Sequence, residues 1–274
     1  MCRERSRSTL KKCDARIRRL INTLMVNICS LFSFKSAMVI ARALLEAQGI
    51  GAGARVAKSG EIRAARFLLQ TEETDEVVVL DIGANRGEYS GLLLNNLPSV
   101  VIHAFEPAEK TFKLLKLQLA SKPNVITHNF ALGNMEGRAL LYKENPVARI
   151  SSLTHLDVAS NDFTEEIAVR RLDSVFPTLN VEQIHLAKID VEGHEMDVLM
   201  GAEEVIRSGK IKNIQFELGE FSIDTRTTLK SFFTFFGDYQ YELFLIRPRS
   251  LYPLKQYKPL YEQYSTTNFV ACKK

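Results

Sequence analysis

The sequence contains no C-x-x-C pair. Its four cysteines, Cys2, Cys13, Cys29 and Cys272, are scattered, and three of them fall before residue 30. That spacing excludes a paired zinc site and a disulfide framework, and it implies free thiols in a reducing, cytoplasmic compartment. No apolar run is long enough to cross a bilayer. No basic stripe interleaved with aromatics runs through the body, which argues against a nucleic-acid partner. Internal repeats and low-complexity tracts are absent too. With 46% hydrophobic and 25% charged residues, disorder is excluded as the dominant state. The net charge of +4 comes largely from the first twenty residues, so the rest of the chain is nearly neutral.

Those first residues form a basic head of Arg3, Arg5, Arg7, Lys11, Lys12, Arg16, Arg18 and Arg19. An uncharged stretch from Leu20 to Phe34 follows, interrupted by Asn22, Thr23, Asn27, Ser30 and Ser33. It resembles a signal peptide in outline, but no small-residue cleavage site precedes Lys35. The expectation is an amphipathic helix packed on the domain, with a membrane-peripheral basic helix as the alternative. Residues 37–48 read as helical, Gly49, Gly51 and Gly53 break the pattern, and a further helix covers residues 62–70. Residues 1–70 are therefore assigned to a helical extension and residues 71–274 to the main domain.

From Val77 onward strands alternate with helices. Val77 to Ile82 is a continuous apolar run broken only by Asp81, as in a strand buried on both faces. Further strands are expected at 100–105, 124–130, 137–143, 167–172, 184–191, 211–218, 239–246 and 268–272. Helices are expected at 88–96, 108–120, 195–208 and 225–236. The alternation implies an α/β fold, a doubly wound and mostly parallel sheet with helices on both faces. No helix separates the last two strands, so they should pair antiparallel.

Asp81-Ile82-Gly83-Ala84-Asn85-Arg86-Gly87 lies between a strand and a helix, where open α/β sheets bind ligands. Glu106 ends the next strand, where an acid can grip ribose hydroxyls. A dinucleotide site requires G-x-G-x-x-G, but Asn85 occupies the middle glycine position and crowds a pyrophosphate. Asp81 also suits a cationic ligand better than a phosphate. Both facts fit a sulfonium-bearing nucleoside. Asn129, at the end of the third strand, reads equally as an adenine contact or a turn former, with Ala131 beside it. Lys188-Ile189-Asp190-Val191-Glu192-Gly193-His194-Glu195 forms a second constellation. Strand alternation would put Asp190 and Glu192 on one side, with His194 near the cleft. A carboxylate, a histidine or a bound divalent metal could accept a hydroxyl proton there. Glu195 reads as a first-turn acid favouring the helix dipole. Glu217, at the next strand end, is a further candidate.

These stretches resemble the FkbM family of methyltransferases. Ala104-Phe105-Glu106-Pro107, Asn129-Phe130-Ala131-Leu132-Gly133, Ser151-Ser152-Leu153 and Arg171-Leu172-Asp173-Ser174 add to the two motifs above, and together they cover about Val77 to Leu218. The resemblance implies a class I methyltransferase (Rossmann-like) fold, a seven-stranded sheet whose C-terminal strand is antiparallel. It implies S-adenosylmethionine as donor, and a hydroxyl of a sugar, glycan or small natural product as acceptor. It also implies that Asp81, Gly83 and Gly87 line the methionine part and Glu106 the ribose, with Ala84 and Asn85 among the cofactor-binding residues. Acceptor choice is expected to reside in residues 144–166 and 247–264. An NAD(P)-dependent oxidoreductase or epimerase is opposed by Asn85 and by the lack of a Tyr-x-x-x-Lys pair. A non-catalytic nucleoside-binding protein is opposed by Asp190 and Glu192.

Overall fold

The computed structural model describes residues 17, 19–53, 56–74, 76–143, 151–152 and 163–274. Most of the basic head, Cys2, Cys13 and the greater part of the 144–166 loop lie outside them. Contacts divide the chain into two units, one ending at Glu46 and one beginning at Ala47. The first unit is helical over residues 19–29 and again in all but the last residue of α1 (Phe34–Ala47), none of whose residues is buried. Among the described residues no helix is long and apolar enough to cross a membrane.

The second unit opens with α2 (Val56–Ser59) and α3 (Glu61–Leu69). Then come β1 (Val78–Ile82), α4 (Glu88–Asn96), β2 (Val101–Phe105), α5 (Glu109–Gln118) and β3 (Val125–His128). After β4 (Ala131–Leu132), β5 (Gly137–Lys143), β6 (Ser151–Ser152) and β7 (Phe163–Arg170), α6 (Leu172–Val175) leads to β8 (Ile184–Ile189). The chain continues through α7 (Glu195–Gly201), α8 (Glu203–Arg207), β9 (Ile211–Leu218), α9 (Phe221–Asp224) and α10 (Leu229–Asp238). It finishes with β10 (Tyr241–Ile246), β11 (Leu251–Pro253) and β12 (Thr267–Lys273).

The main sheet runs β11-β10-β12-β9-β8-β1-β2-β3. β1, β2, β3, β8 and β9 pair parallel, while β12 is antiparallel to both β9 and β10. Without β11 this is a seven-stranded sheet with an antiparallel strand near its C-terminal end, as the resemblance implies. The eighth strand was not expected. It arises because Arg247 N donates to Ser250 O at 2.9 Å, closing a turn that folds β11 back on β10. β7 pairs antiparallel with β5 along its length and, with β4 and β6, makes a second four-stranded sheet. Leu172, expected in a strand, starts α6 instead.

Alternating strand residues feed two cores. On one face Phe216, Phe232, Phe236 and Phe269 stack, with Phe216 and Phe232 ring centroids 4.3 Å apart. On the other, Val79, Ile102 and Leu186 meet Leu69, Leu93 and Leu115 from α3, α4 and α5. The helix expected over 195–208 is broken at Ala202. The carboxylate of Asp173, from α6, accepts from Glu204 N and Val205 N at 3.0 and 3.1 Å and so caps a new helix.

Residues 47–70, assigned from sequence to the extension, make their contacts within the second unit. The glycines there act as close-approach points. A Cβ on Gly49 would lie 2.3 Å from Ile246 O, and one on Gly60 would lie 2.4 Å from Arg247 O. The tie to the sheet is polar. Gln215 Nε2 donates to Glu61 Oε1 at 2.9 Å, and Ser59 Oγ donates to Glu61 Oε2 at 2.6 Å. Burial is the main cause that lifts the Glu61 carboxyl from its usual 4.5 to about 7, against the pull of Lys188.

This shift has a sign in stability. Between pH 4.5 and about 7 the folded chain keeps a proton on Glu61 that the unfolded chain has lost. The contribution of this group is therefore full at acid pH and falls as pH rises through that window. Glu61→Gln preserves the shape and removes the titration. From pH 4.5 to pH 7.5 the wild-type melting temperature should drop relative to that of Glu61→Gln. Parallel curves would show that Glu61 does not titrate in this range.

Candidate active site

A cleft of about 440 Å³ opens at the carboxyl ends of β1, β2, β8 and β9, within the size range of small-molecule sites. Gly83, Ala84, Asn85, Glu106, Ala131, Asp190, Glu192, His194 and Glu217 all line it. Three expected residues do not. Asp81 is fully buried behind the wall, Gly87 faces inward, and Asn129 holds a turn.

The loop after β1 is set by glycine. Gly83 has φ +81°, and a Cβ there would stand 1.9 Å from Asp190 O. The loops after β1 and β8 thus pass in backbone contact, with Asp190 N donating to Ile82 O at 3.0 Å. Gly87 has φ +84° and begins α4, where a Cβ would press on Leu115 and Leu119 at 2.8 and 2.9 Å. Glu106 braces the same loop, accepting from Asn85 N at 3.1 Å and from Ala108 N at 2.8 Å. Asn129 Nδ2 donates to the carbonyls of Glu106 and Pro107, both at 3.0 Å, which is the turn-former reading.

Beneath the loops Asp81, Lys188 and Gln215 sit side by side in register on neighbouring strands and therefore share one face. Lys188 Nζ lies 2.8 Å from Asp190 Oδ2, 3.9 Å from Asp81 Oδ1 and 5.3 Å from the centre of the Tyr89 ring. Burial opposes its charge, but Asp190, Asp81 and Glu61 outweigh burial and raise its pKa, so Lys188 stays an ammonium. Asp81 moves upward because burial outweighs Lys188 and the hydrogen bond from Ser90 Oγ at 2.6 Å. Its Oδ1 is buried without a hydrogen-bond partner. Lys188 carries no role in the sequence-based expectations, although it stands within the motif. The signal was a lysine inside the wholly buried strand Ile184–Ile189, which requires counter-charges.

The Asp190–Glu192 segment differs from expectation. β8 ends at Ile189, and Glu192 and Gly193 both take left-handed φ, +53° and +97°. The two acids therefore sit on a turn and are not related by strand alternation. Glu195 builds that turn, its Oε1 accepting from Val191 N at 3.0 Å and Gly193 N at 3.3 Å. The local sequence does not reveal this clamp, because Glu195 there reads as a helix-dipole acid. Burial lifts Glu195 to about 7. Glu192 rises to about 8 through burial and the neighbouring Asp190 and Glu195, and Glu217 rises well above its usual range for the same two kinds of cause. His194 Nδ1 lies 2.7 Å from Asp197 Oδ2. Among the described residues no group of three or more His, Cys, Asp or Glu side chains is placed to hold a metal.

The glycine geometry is testable by thermal denaturation. Gly83→Ala combines a left-handed backbone, costing about 1–3 kcal/mol, with the backbone clash against Asp190. Gly209→Ala has φ +73° but nothing within 4 Å of the new Cβ. Gly83→Ala should lower the melting temperature much more than Gly209→Ala. Equal losses would mean that the loop contact at Gly83 is not a close one.

A family model described as the methyltransferase FkbM domain matches residues 81–243, more than half of the chain. A protein named Methyltransferase 1 from Beauveria bassiana is 29% identical over 149 residues, covering 47% of this chain and 60% of that protein. A hexuronic acid methyltransferase from Haloferax volcanii is 27% identical over 161 residues, covering 58% of this chain and 64% of that one. The chain thus spans less than two thirds of the length of either relative. Among solved structures, a precorrin-6y C5,15-methyltransferase from Geobacter metallireducens aligns with a TM-score of 0.43 at 13% identity, covering 78% of this chain and 87% of that one. On the family match, this chain belongs to the FkbM methyltransferase domain family.

Proposed function

We propose that the protein is an S-adenosylmethionine-dependent methyltransferase that methylates a hydroxyl oxygen of a sugar, a glycan or another small acceptor. The observation that carries the reading is the charge of the cleft. Its lining includes Glu88, Glu106, Asp190, Glu192, Glu217 and Glu220, against Arg86 and Lys188. Carboxylates still outnumber cations when Glu192 and Glu217 hold protons. Such a wall suits a cationic sulfonium and repels a pyrophosphate. The strand-end carboxylate of Glu106, adjacent to the loop after β1, suits ribose hydroxyls, so the residues present fit this donor. The glycan acceptor is supported by the name of the Haloferax relative.

When bound, the donor supplies a methyl carbon on a positively charged sulfur. The protein must then place a hydroxyl in line with that carbon and remove its proton. His194 is our choice of base. Asp197 holds its Nδ1, which makes Nε2 the proton acceptor when Nδ1 carries the hydrogen. Glu192, with its pKa near 8, is the competing choice. Asp190 positions the acceptor while its second role neutralises Lys188.

Calorimetry with S-adenosylmethionine and with NAD tests the donor. Only the former should bind, and Glu106→Ala should weaken it by about 1–3 kcal/mol. Equal affinity of wild type and variant would remove Glu106 from the site, and binding of NAD alone would make the oxidoreductase reading the better one.

On an identified acceptor, His194→Ala should lower kcat about 10²–10⁴-fold, the usual worth of a general base. Asp190→Asn should abolish turnover. Its melt should be recorded as well, because it leaves Lys188 without its nearest counter-charge. If Glu192→Gln is instead the inactive variant, and the wild-type rate falls as pH drops below about 8, the base is Glu192. Activity lost to a chelator and restored by magnesium would replace both with a metal route.

A further inference from the structure

The acidic cleft has a neighbour of opposite character. A groove of about 780 Å³ runs along α3 beside the turn between β10 and β11. Val56 lines both cavities, so they adjoin at α2. Lys58, Arg63, Arg66, Arg247 and Arg249 line the groove, and no acidic residue does. Among the described residues, none of Lys58, Arg63, Arg66 and Arg249 has a carboxylate within ion-pair distance. Arg247 donates through Nη2 to Gln48 Oε1, while its Nε is buried with no hydrogen-bond partner.

The fold builds this arrangement deliberately enough to fix it in place. The close approach of Gly49 and Gly60 pins the carbonyls of Ile246 and Arg247, so Arg247 and Arg249 are held at the carboxyl end of β10. That is the edge of the sheet on which the cleft opens. Arg63 and Arg66, three residues apart, share the exposed face of α3. Five cations converging on one concavity without counter-charges repel one another, and an anion relieves that repulsion. Guanidinium groups match carboxylate and phosphate oxygens in particular. The groove is concave and of small-molecule size, which distinguishes it from the extended cationic faces that meet a lipid surface.

We propose that the groove holds an oxyanion, a carboxylate or phosphate, carried by the methyl acceptor, whose uncharged hydroxyl end reaches the cleft past Val56. The proposal rests on the methyltransferase reading above and names the acceptor as an anionic molecule. The two cavities sort such a molecule by charge. Carboxylates in the cleft repel its anionic end, and cations in the groove attract it, so only one orientation brings a hydroxyl to the reaction centre.

The test uses the full chain, with glucuronate and glucose 1-phosphate as probes, glucose as the neutral control, and S-adenosylhomocysteine binding followed in parallel. Calorimetry should show both anions binding, glucose not binding, and affinity falling with added salt. The Arg66→Gln/Arg249→Gln double variant should bind the anions about tenfold or more weakly, as expected when charge-assisted hydrogen bonds are lost, with S-adenosylhomocysteine binding unchanged. Equal binding of glucose, an unaffected double variant, or no binding of either anion overturns the proposal. Binding to phosphatidylglycerol vesicles without binding to either small anion also overturns it, in favour of a lipid headgroup. If the anions bind in the arginine-dependent way but S-adenosylhomocysteine does not bind at all, the donor reading fails, and the groove's link to a methyl acceptor falls with it.

Discussion

One buried ammonium organises the centre of this molecule. Lys188 lies between Asp190 at 2.8 Å and Asp81 at 3.9 Å, over the face of Tyr89. An isolated charge at that depth would be prohibitive, so the position is tolerable only with its ring of carboxylates. Burial, with repulsion among these carboxylates added to it, raises the pKa of several acids in the ring. One cation cannot neutralise Asp81, Glu61, Glu192 and Glu217 together, and burial raises the pKa of each. The row Asp81–Lys188–Gln215 also joins three strands to α3 through Glu61 and to α4 through Ser90 and Tyr89. The charge arrangement of the cleft and the seating of two helices are therefore one structure.

A second constraint is steric. The cleft exists because loops from separate strands cross at near-contact distances. Gly83 meets Asp190, and Gly193 approaches Phe221, where a Cβ would stand 2.8 Å from its carbonyl oxygen. At each crossing a glycine in left-handed conformation replaces what would otherwise be a side chain. The polar side chains lining the cleft are thereby brought to one rim, although they come from positions spread between residues 85 and 266.

Much of this was legible in the sequence because local patterns fixed it. Apolar runs gave the buried strands, the missing helix gave the antiparallel pairing of β10 and β12, and strand-end acids gave most of the cleft. What escaped depended on partners far away in the chain. Asp173 splits the helix after Glu195 from a distance of about thirty residues. Glu61 finds Gln215 across 154 positions, so nothing near Glu61 tied it to the sheet. The Glu192 turn was hidden for another reason. The alternating pattern of Ile189-Asp190-Val191-Glu192 reads as strand until Glu195 folds back to bind Val191 N and Gly193 N. Asn129 was ambiguous because the same amide group serves base edges and backbone carbonyls equally well.

The position of β12 bears on how the chain assembles. It is synthesised after both β9 and β10, yet it lies between them. Until it emerges, β9 and β10 flank an empty slot, each offering a row of unsatisfied backbone donors and acceptors. Phe269, Val270 and Ala271, buried in the finished sheet, are the residues that fill it. A nascent chain must keep that slot open and unoccupied, and the segment that fits it best is the β12 of any copy nearby. Crowding during translation therefore places strand exchange between copies in direct competition with correct closure.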